Sequence, residues 1–393
     1  MKVIYLGTAA SDYDLENTFS SSNSQSTVYV QQKWDYIFYK SMEMIDSTKS
    51  YCISYPPIQT FPVGKTWFSR RKKISGLVNG VYINTINLPI IKQLCSIISV
   101  IIELLQIGND ETIHIITHTL YLQSLIAANV YKFFYPDTKI VSLVPDLPDY
   151  SSDVLVASSR IDRILYQLYK KLSIRLKGNV DGYVCFSELQ MEKLNKEKPY
   201  IVMEGFSLKN DQLSSLTNCS HKERIFFYSG NLNKDSGVYQ FAKAFSDASL
   251  EDYEFWICGE GEQKSKIEAL HCSNIKLLGV LPKTKVLELQ NIAHVLVNPR
   301  PIDMDFSKYS FPSKLLEYMS SGTPVLTTHL KCIPKEYDEY LYYIEDDSIS
   351  GMRNSIVNLK IDKNIGLQAK AFVLTNKNPE AQVERVINYV KTL

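Results

Sequence analysis

The stretch YSFPSKLLEYMSSGTPV, residues 309–325, decides the fold. It reads as a loop, a short helix, a glycine stop and a strand. Ser310 is placed to cap the helix, and Pro312 suits its first turn, where no backbone N–H is needed. Leu315, Leu316 and Met319 make one apolar face, and Gly322 suits the left-handed conformation that ends a helix. The TPVLTT that follows reads as a buried strand. A helix N-terminus at the mouth of an α/β sheet presents unpaired N–H groups and the positive end of a dipole, which is a site for phosphate. Glu317, about one turn further on, supplies a carboxylate able to accept hydrogen bonds from a sugar diol.

Working outward, short apolar strands alternate with helical patterns through both halves, the mark of doubly wound parallel sheets. In the first half, strands are predicted at 2–6, 34–39, 112–117, 139–144, 182–186 and 200–203. In the second they are predicted at 224–229, 253–258, 275–278, 294–297, 323–328 and 341–344, with helices near 237–247, 263–271, 283–292 and 312–320. The polar run SLKNDQLSSLTNCSHKE, residues 207–223, reads as a linker. The expected organisation is a first α/β domain at 1–206, the linker, a second at 224–378 and a terminal helix at 379–393. That helix carries Val383, Val386, Ile387 and Val390 at helical spacing.

The 393 residues suffice for two full cores. A formal net charge of +1 removes any global attraction to nucleic acid. Seven cysteines, an odd number with no C-x-x-C pair, imply reduced thiols and a cytoplasmic protein rather than a disulfide framework or a zinc site. The opening MKVIYLGTAA has too short an apolar run for a signal peptide. The apolar run at 88–107 is broken by Lys92, Gln93, Glu103 and Gln106, and reads as a buried helix rather than a membrane span.

Four further motifs precede the 309–325 stretch in order. SGNLNKDSGV (229–238) follows a strand and opens a helix; CGEGEQ (258–263) is a G-x-G turn; LGVL occupies 278–281; NPRP occupies 298–301. With S-F-P-S-K-x-x-E-Y, this series resembles the nucleotide-sugar side of retaining glycosyltransferases of family 4. The resemblance implies the GT-B fold, two Rossmann-like domains facing across a cleft. It also implies that the C-terminal helix crosses back to the first domain.

The resemblance assigns donor contacts residue by residue. Glu317 matches the second glutamate of the family's Glu-x7-Glu motif, which holds the ribose hydroxyls, whereas the first glutamate falls on Tyr309. Ser310, Phe311, Pro312 and Ser313 match the loop that cradles the diphosphate. Gly230 and Gly237 match the glycines of the first phosphate loop, with Asn231 at the family's arginine and Lys234 the nearest candidate for its lysine. Gly259 and Gly261 match the G-x-G turn, and Gly279 lies in the segment that reads the base. A departing diphosphate gains negative charge, so Lys314 and Arg300 are the expected replacement cations.

The first half carries the resemblance less fully. His118 ends a strand and precedes a helix, where a family histidine contacts the donor sugar. Gly7 lies in the loop after the first strand, expected on the acceptor side. Asp146 and Asp149, in VPDLPDY (144–150), resemble a segment of capsule and exopolysaccharide enzymes. Two basic features stand apart. Arg70, Arg71, Lys72 and Lys73 adjoin Trp67 and Phe68. Residues 159–178 combine the stripe Ile161, Ile164, Leu165, Leu168 and Leu172 with six basic side chains, a pattern suited to an anionic membrane or to a core-facing helix with a solvated face.

The implied function is transfer of a sugar from a nucleotide diphosphate sugar, a UDP-sugar above all, to a polysaccharide or lipid-linked saccharide. Retention is expected, with no metal or cofactor and in the cytoplasm at the inner face of the membrane. Two alternatives stay open: an inactive GT-B subunit supporting a partner transferase, and a sugar-nucleotide epimerase on the same fold.

Overall fold

The computed structural model describes residues 1–17, 28–46, 49–58, 61, 66–68, 73–88, 91–108, 111–147, 171–172, 175–208 and 224–393. Asp149, Arg70 to Lys72, most of the 159–178 stretch and most of the 207–223 linker lie outside the described residues. Two compact units form. The first comprises Met1–Phe186, Gln190–Met203 and Pro379–Leu393; the second comprises Ser187–Leu189 and Glu204–Asn378.

In the first unit seven strands run parallel: β1 (Lys2–Gly7), β2 (Ser50–Ser54), β3 (Gly80–Tyr82), β4 (Ile113–His118), β5 (Lys139–Val144), β6 (Gly182–Cys185) and β7 (Tyr200–Val202). Their order is β3-β2-β1-β4-β5-β6-β7. Helices α1 (Asp12–Asn17), α2 (Val28–Ile45), α3 (Ile91–Gln106) and α4 (Leu122–Phe134) connect them.

Residues 34–39 are not a strand as the apolar run WDYIFY suggests; they lie inside α2. The burial explains the error. Asp35, Phe38, Tyr39 and Met42 are buried at spacings of three, four and seven, the 3.6-residue period of a helix, but one of the four is an acid and so drops out of a hydrophobic count. The strands β2 and β3 were not among the predicted ones. The apolar run predicted as a buried helix at 88–107 is helical over Ile91–Gln106 but not simply buried. Ser96, Val100, Glu103 and Leu104 face inward, while Ile91, Leu94, Ile98, Ile102 and Leu105 are exposed. Among the described residues no helix is long and apolar enough to cross a membrane.

The second unit has six parallel strands: β8 (Arg224–Ser229), β9 (Tyr253–Cys258), β10 (Ile275–Gly279), β11 (Val295–Asn298), β12 (Val325–Thr328) and β13 (Tyr342–Ile344). Their order is β10-β9-β8-β11-β12-β13, the doubly wound arrangement whose direction reverses between β8 and β11. The connecting helices are α5 (Val238–Ala248), α6 (Lys264–Glu268), α7 (Lys283–Ile292), α8 (Asp305–Tyr309), α9 (Lys314–Ser321), α10 (Ile349–Val357) and α11 (Lys363–Asn376). On one sheet face α5 packs against α10, and Phe241, Phe245, Met352 and Ile356 meet Phe226, Phe255 and Val297 in a continuous core. Elsewhere in the unit α9 packs against α11 and α7. The last helix, α12 (Pro379–Lys391), packs against α2 in the first unit, and its Val383, Val386, Ile387 and Val390 are buried.

Phe241 is fully buried, with ring centroids 5.1 Å from Phe255 and 6.2 Å from Phe226. Phe241→Ala is expected to destabilise the second unit by about 3–5 kcal/mol through lost burial and the cavity left behind. Trp256, the only tryptophan of that unit, should report the earlier urea transition by fluorescence, and an unmoved midpoint would place the core elsewhere.

Candidate active site

The carboxyl ends of β8, β9 and β10 are laced together by backbone. Gly230 N–H donates to Cys258 O at 2.8 Å, and Gly259 N–H donates to Gly279 O at 2.8 Å. Leu232 N–H reaches Glu260 O at 2.9 Å, and Gln263 N–H returns to Leu232 O at 2.8 Å. Gly261 lies in the same turn, against the Leu232 backbone. Gly259 has φ of 142°, and a Cβ there would enter the Gly230 carbonyl; only glycine permits the two loops to touch. Gly237, with φ of 69°, precedes α5 and lies against the Pro299 carbonyl. The glycine loop after β8 therefore meets the chain leaving β11 at the reversal of strand order.

The 309–325 segment differs locally from its expected form. Tyr309 is the last residue of α8, Ser310 is extended, and α9 begins at Lys314 with Ser313 before it. Ser310 therefore does not cap this helix, and Ser313 makes no side-chain capping bond. Ser310 N–H already donates to Phe306 O at 3.0 Å, which removes it from the expected set of phosphate donors. Among the described residues the N–H groups of Phe311 and Ser313 have no acceptor. Phe311 is buried against Tyr337, at 5.5 Å between ring centroids. Pro312 O accepts from Leu315 N–H at 2.8 Å.

Lys314 opens α9 and points back to β8. Its ammonium donates to Ser229 O, lies 5.5 Å from the Tyr228 ring centroid, and occupies the space a Cβ on Gly230 would need. Burial pulls its pKa down to about 8; Glu317 opposes that shift, and Arg300 and Lys283 reinforce it. Glu317 is in the first turn of α9. One of its oxygens is paired with Lys283, and the other accepts from Gln290 Nε2 at 2.7 Å. Each oxygen keeps lone-pair capacity for a further donor.

Arg300 follows β11. Its guanidinium donates to Ser310 O at 3.1 Å and stacks over Phe306 at 5.0 Å, so it braces the loop before α9. Lys234 and Asn231 are exposed. The Asn231 carbonyl accepts from Tyr228 Oη at 2.8 Å, and Lys234 N–H donates to Glu262 at 3.2 Å. Gln290, Lys283 and Tyr318 were not singled out from sequence. Tyr318 Oη holds Ser229 by its N–H at 3.0 Å, and Gln290 is wholly buried in α7. A buried glutamine on a helix of otherwise ordinary pattern leaves no local signal. Asp305, of the Asp303-Met-Asp305 triplet, lies 3.7 Å from Lys308. Among the described residues no three His, Cys, Asp or Glu side chains cluster as metal ligands.

In the first unit, Gly7 ends β1 and lies against Tyr5 and Asp35. His118 ends β4 and is buried. Asp146 is exposed beyond β5.

Residues 223–361 match the family model described as glycosyl transferases group 1. No curated protein matches the chain by sequence. Among solved structures, the chain is similar to HepE of Anabaena in complex with UDP, with TM-score 0.60, 10% identity and 100% of both chains covered. It is also similar to the lipopolysaccharide outer core galactosyltransferase WaaB in its apo form, with TM-score 0.61, 13% identity and 100% of this chain against 99% of the other. The α,α-trehalose 6-phosphate synthase of Burkholderia multivorans gives 0.60, 8%, 100% and 96%. At such identities the likeness is one of fold: two Rossmann-like parallel sheets of the GT-B type, as the sequence reading expects. With the family match in the second unit, the chain is a glycosyltransferase of GT-B type.

Holding a lysine dry in this glycosyltransferase costs stability. The unfolded lysine titrates near 10.4 and the folded one at about 8. Between those values the unfolded chain binds the extra proton, so this contribution to stability rises with pH. Lys314→Met is expected to stabilise the protein by up to about 3 kcal/mol at pH 7, with the gain shrinking above pH 8. Urea unfolding at pH 7 and pH 10 tests it; an equal loss of stability at both pH values would exclude a desolvated lysine.

Proposed function

We propose that this glycosyltransferase moves a sugar from a UDP-sugar to a polysaccharide or lipid-linked saccharide acceptor, retaining the anomeric configuration and requiring no metal ion. The observation that carries the reading is the placement of Lys314. It holds a positive charge in a dry site at glycine-laced strand ends, one turn ahead of a carboxylate that is itself held by Lys283 and Gln290. Departure of the nucleotide makes the sugar oxocarbenium-like and the diphosphate more negative. A fixed charge and unpaired N–H groups stabilise that change most where water is excluded. Lys314 and the N–H groups of Phe311 and Ser313 take this role, Arg300 adds positive potential behind the loop, and Glu317 accepts from the ribose. The departing phosphate takes the proton of the acceptor hydroxyl. UDP in the similar HepE structure supports the choice of base.

A non-catalytic subunit is the second reading, favoured by Asn231 and Tyr309 at positions where the family has arginine and glutamate. Donor hydrolysis with a panel of UDP- and GDP-sugars separates the two: turnover of a UDP-sugar is expected, and binding without turnover of any donor would favour the subunit.

Glu317→Ala is expected to weaken UDP binding by roughly 1.5–3 kcal/mol in calorimetric titration; unchanged affinity would remove Glu317 from the ribose site. In steady-state kinetics Lys314→Ala is expected to lose turnover more than donor affinity, by roughly 2 kcal/mol or more. Arg300→Ala should lose less, since its guanidinium braces the loop, and Lys234→Ala little, since it is exposed. A loss confined to Lys234→Ala would return the role to the glycine loop.

Membrane contact through residues 159–178 belongs to the same proposal and rests on their sequence pattern. Co-sedimentation with anionic liposomes should fall when Lys170, Lys171 and Arg175 become Glu; binding that persists would place the contact elsewhere.

A further inference from the structure

Gln290 lies on the inward face of α7 with Val286 and Leu289, and its side chain is wholly buried. Its contacts assign the amide. Nε2 donates to Glu317 Oε1 at 2.7 Å and stands 3.5 Å from Ser229 Oγ. The opposite orientation would set the amide oxygen against the carboxylate, two acceptors with no proton between them. The Gln290 backbone is held as well. Its carbonyl accepts from Thr323 Oγ1 at 2.7 Å, just before β12.

The other amide atom, Gln290 Oε1, is buried and has no donor among the described residues. A buried acceptor without a donor costs stability. A leucine of similar volume would fill the space without that cost. Packing alone therefore does not account for a glutamine here. What the amide supplies in return is its donor to Glu317. Lys283 pairs with the second carboxylate oxygen, but its side chain is 61% exposed and that of Glu317 is 31% exposed. An exposed ion pair holds a geometry weakly, whereas a buried amide on a fixed backbone holds it firmly. The distinction matters because a carboxylate turns easily about its last bond. A diol can donate to both oxygens only when they lie in its own plane.

We infer that Gln290 is a positioning residue: its buried amide fixes the plane of the Glu317 carboxylate, so that the site favours a nucleotide with an intact ribose diol over one without it. The diol in that statement rests on the donor reading proposed above; the contact between Gln290 and Glu317 does not.

Calorimetric titration with UDP and with 2′,3′-dideoxyuridine diphosphate tests it. The parent protein should bind UDP more tightly by at least about tenfold. In Gln290→Leu that ratio should fall by at least about threefold, through weaker UDP binding with the dideoxy nucleotide little affected. A general loosening of the site would weaken both nucleotides together and leave the ratio as it was. An unchanged ratio in the folded variant therefore overturns the positioning role, whatever the absolute affinities. Equal affinities in the parent would instead overturn the ribose contact of Glu317, a failure of the donor reading itself. If Gln290→Leu does not fold, Gln290→Met, unbranched and without a donor, carries the same test. Gln290→Leu added to Glu317→Ala should weaken UDP binding no further; an additional loss would show that Gln290 acts by a route other than Glu317 and overturn the inference.

Discussion

The site depends on two loops meeting as bare backbone. Gly230 and Gly259 follow adjacent strands, and the second has its α-carbon where any side chain would enter the carbonyl of the first. Because they touch, the chain after β8 lies low over the strand ends and continues through Gly237 to the Pro299 carbonyl. At Gly230 and Gly259 the floor so formed carries no side chain. The chemistry above it therefore comes from the next layer, the start of α9, which enters over Gly230 with Lys314 in the space a methyl group would occupy.

That placement sets the electrostatics. An ammonium packed against Tyr228 and the Ser229 carbonyl has lost most of its hydration and gained, among the described residues, one hydrogen bond and a ring face in return. Such a charge is poorly satisfied, which explains its low pKa; in the proposed reaction the diphosphate completes it. Glu317, one turn later, is treated differently. Lys283 and Gln290 hold both its oxygens from α7, so its orientation is set before any ligand arrives. One helix thus presents a loosely compensated cation and a firmly oriented acid. A site of this kind trades stability for function.

How much of this was legible differs between the two units. In the second, alternation of strands and helices and the order of the glycine motifs were plain, because parallel strands buried on both faces read as apolar runs and Gly230, Gly237, Gly259 and Gly261 mark close approaches. Arg300 was legible as a cation but not as a brace, since its Ser310 and Phe306 contacts depend on how the loop folds back. The cap expected at Ser310 failed because α8 extends to Tyr309 and α9 starts only at Lys314. In the first unit the run at 34–39 looked like a strand. Helical burial turned Asp35 inward, and that change of period hid its contact with His118.

The sequence by itself determined the α/β class, the doubly wound pattern and the candidate loops, because periodicity, glycine and proline act over a few residues and leave a local trace. Tertiary structure alone decided which side chains became partners. Lys314 and Ser229 are 85 positions apart, Gln290 and Glu317 are 27, and Asp35 and His118 meet across separate elements. A hydrogen bond or a desolvated charge exists only once two distant segments exclude water from between them, and no spacing along the chain records that.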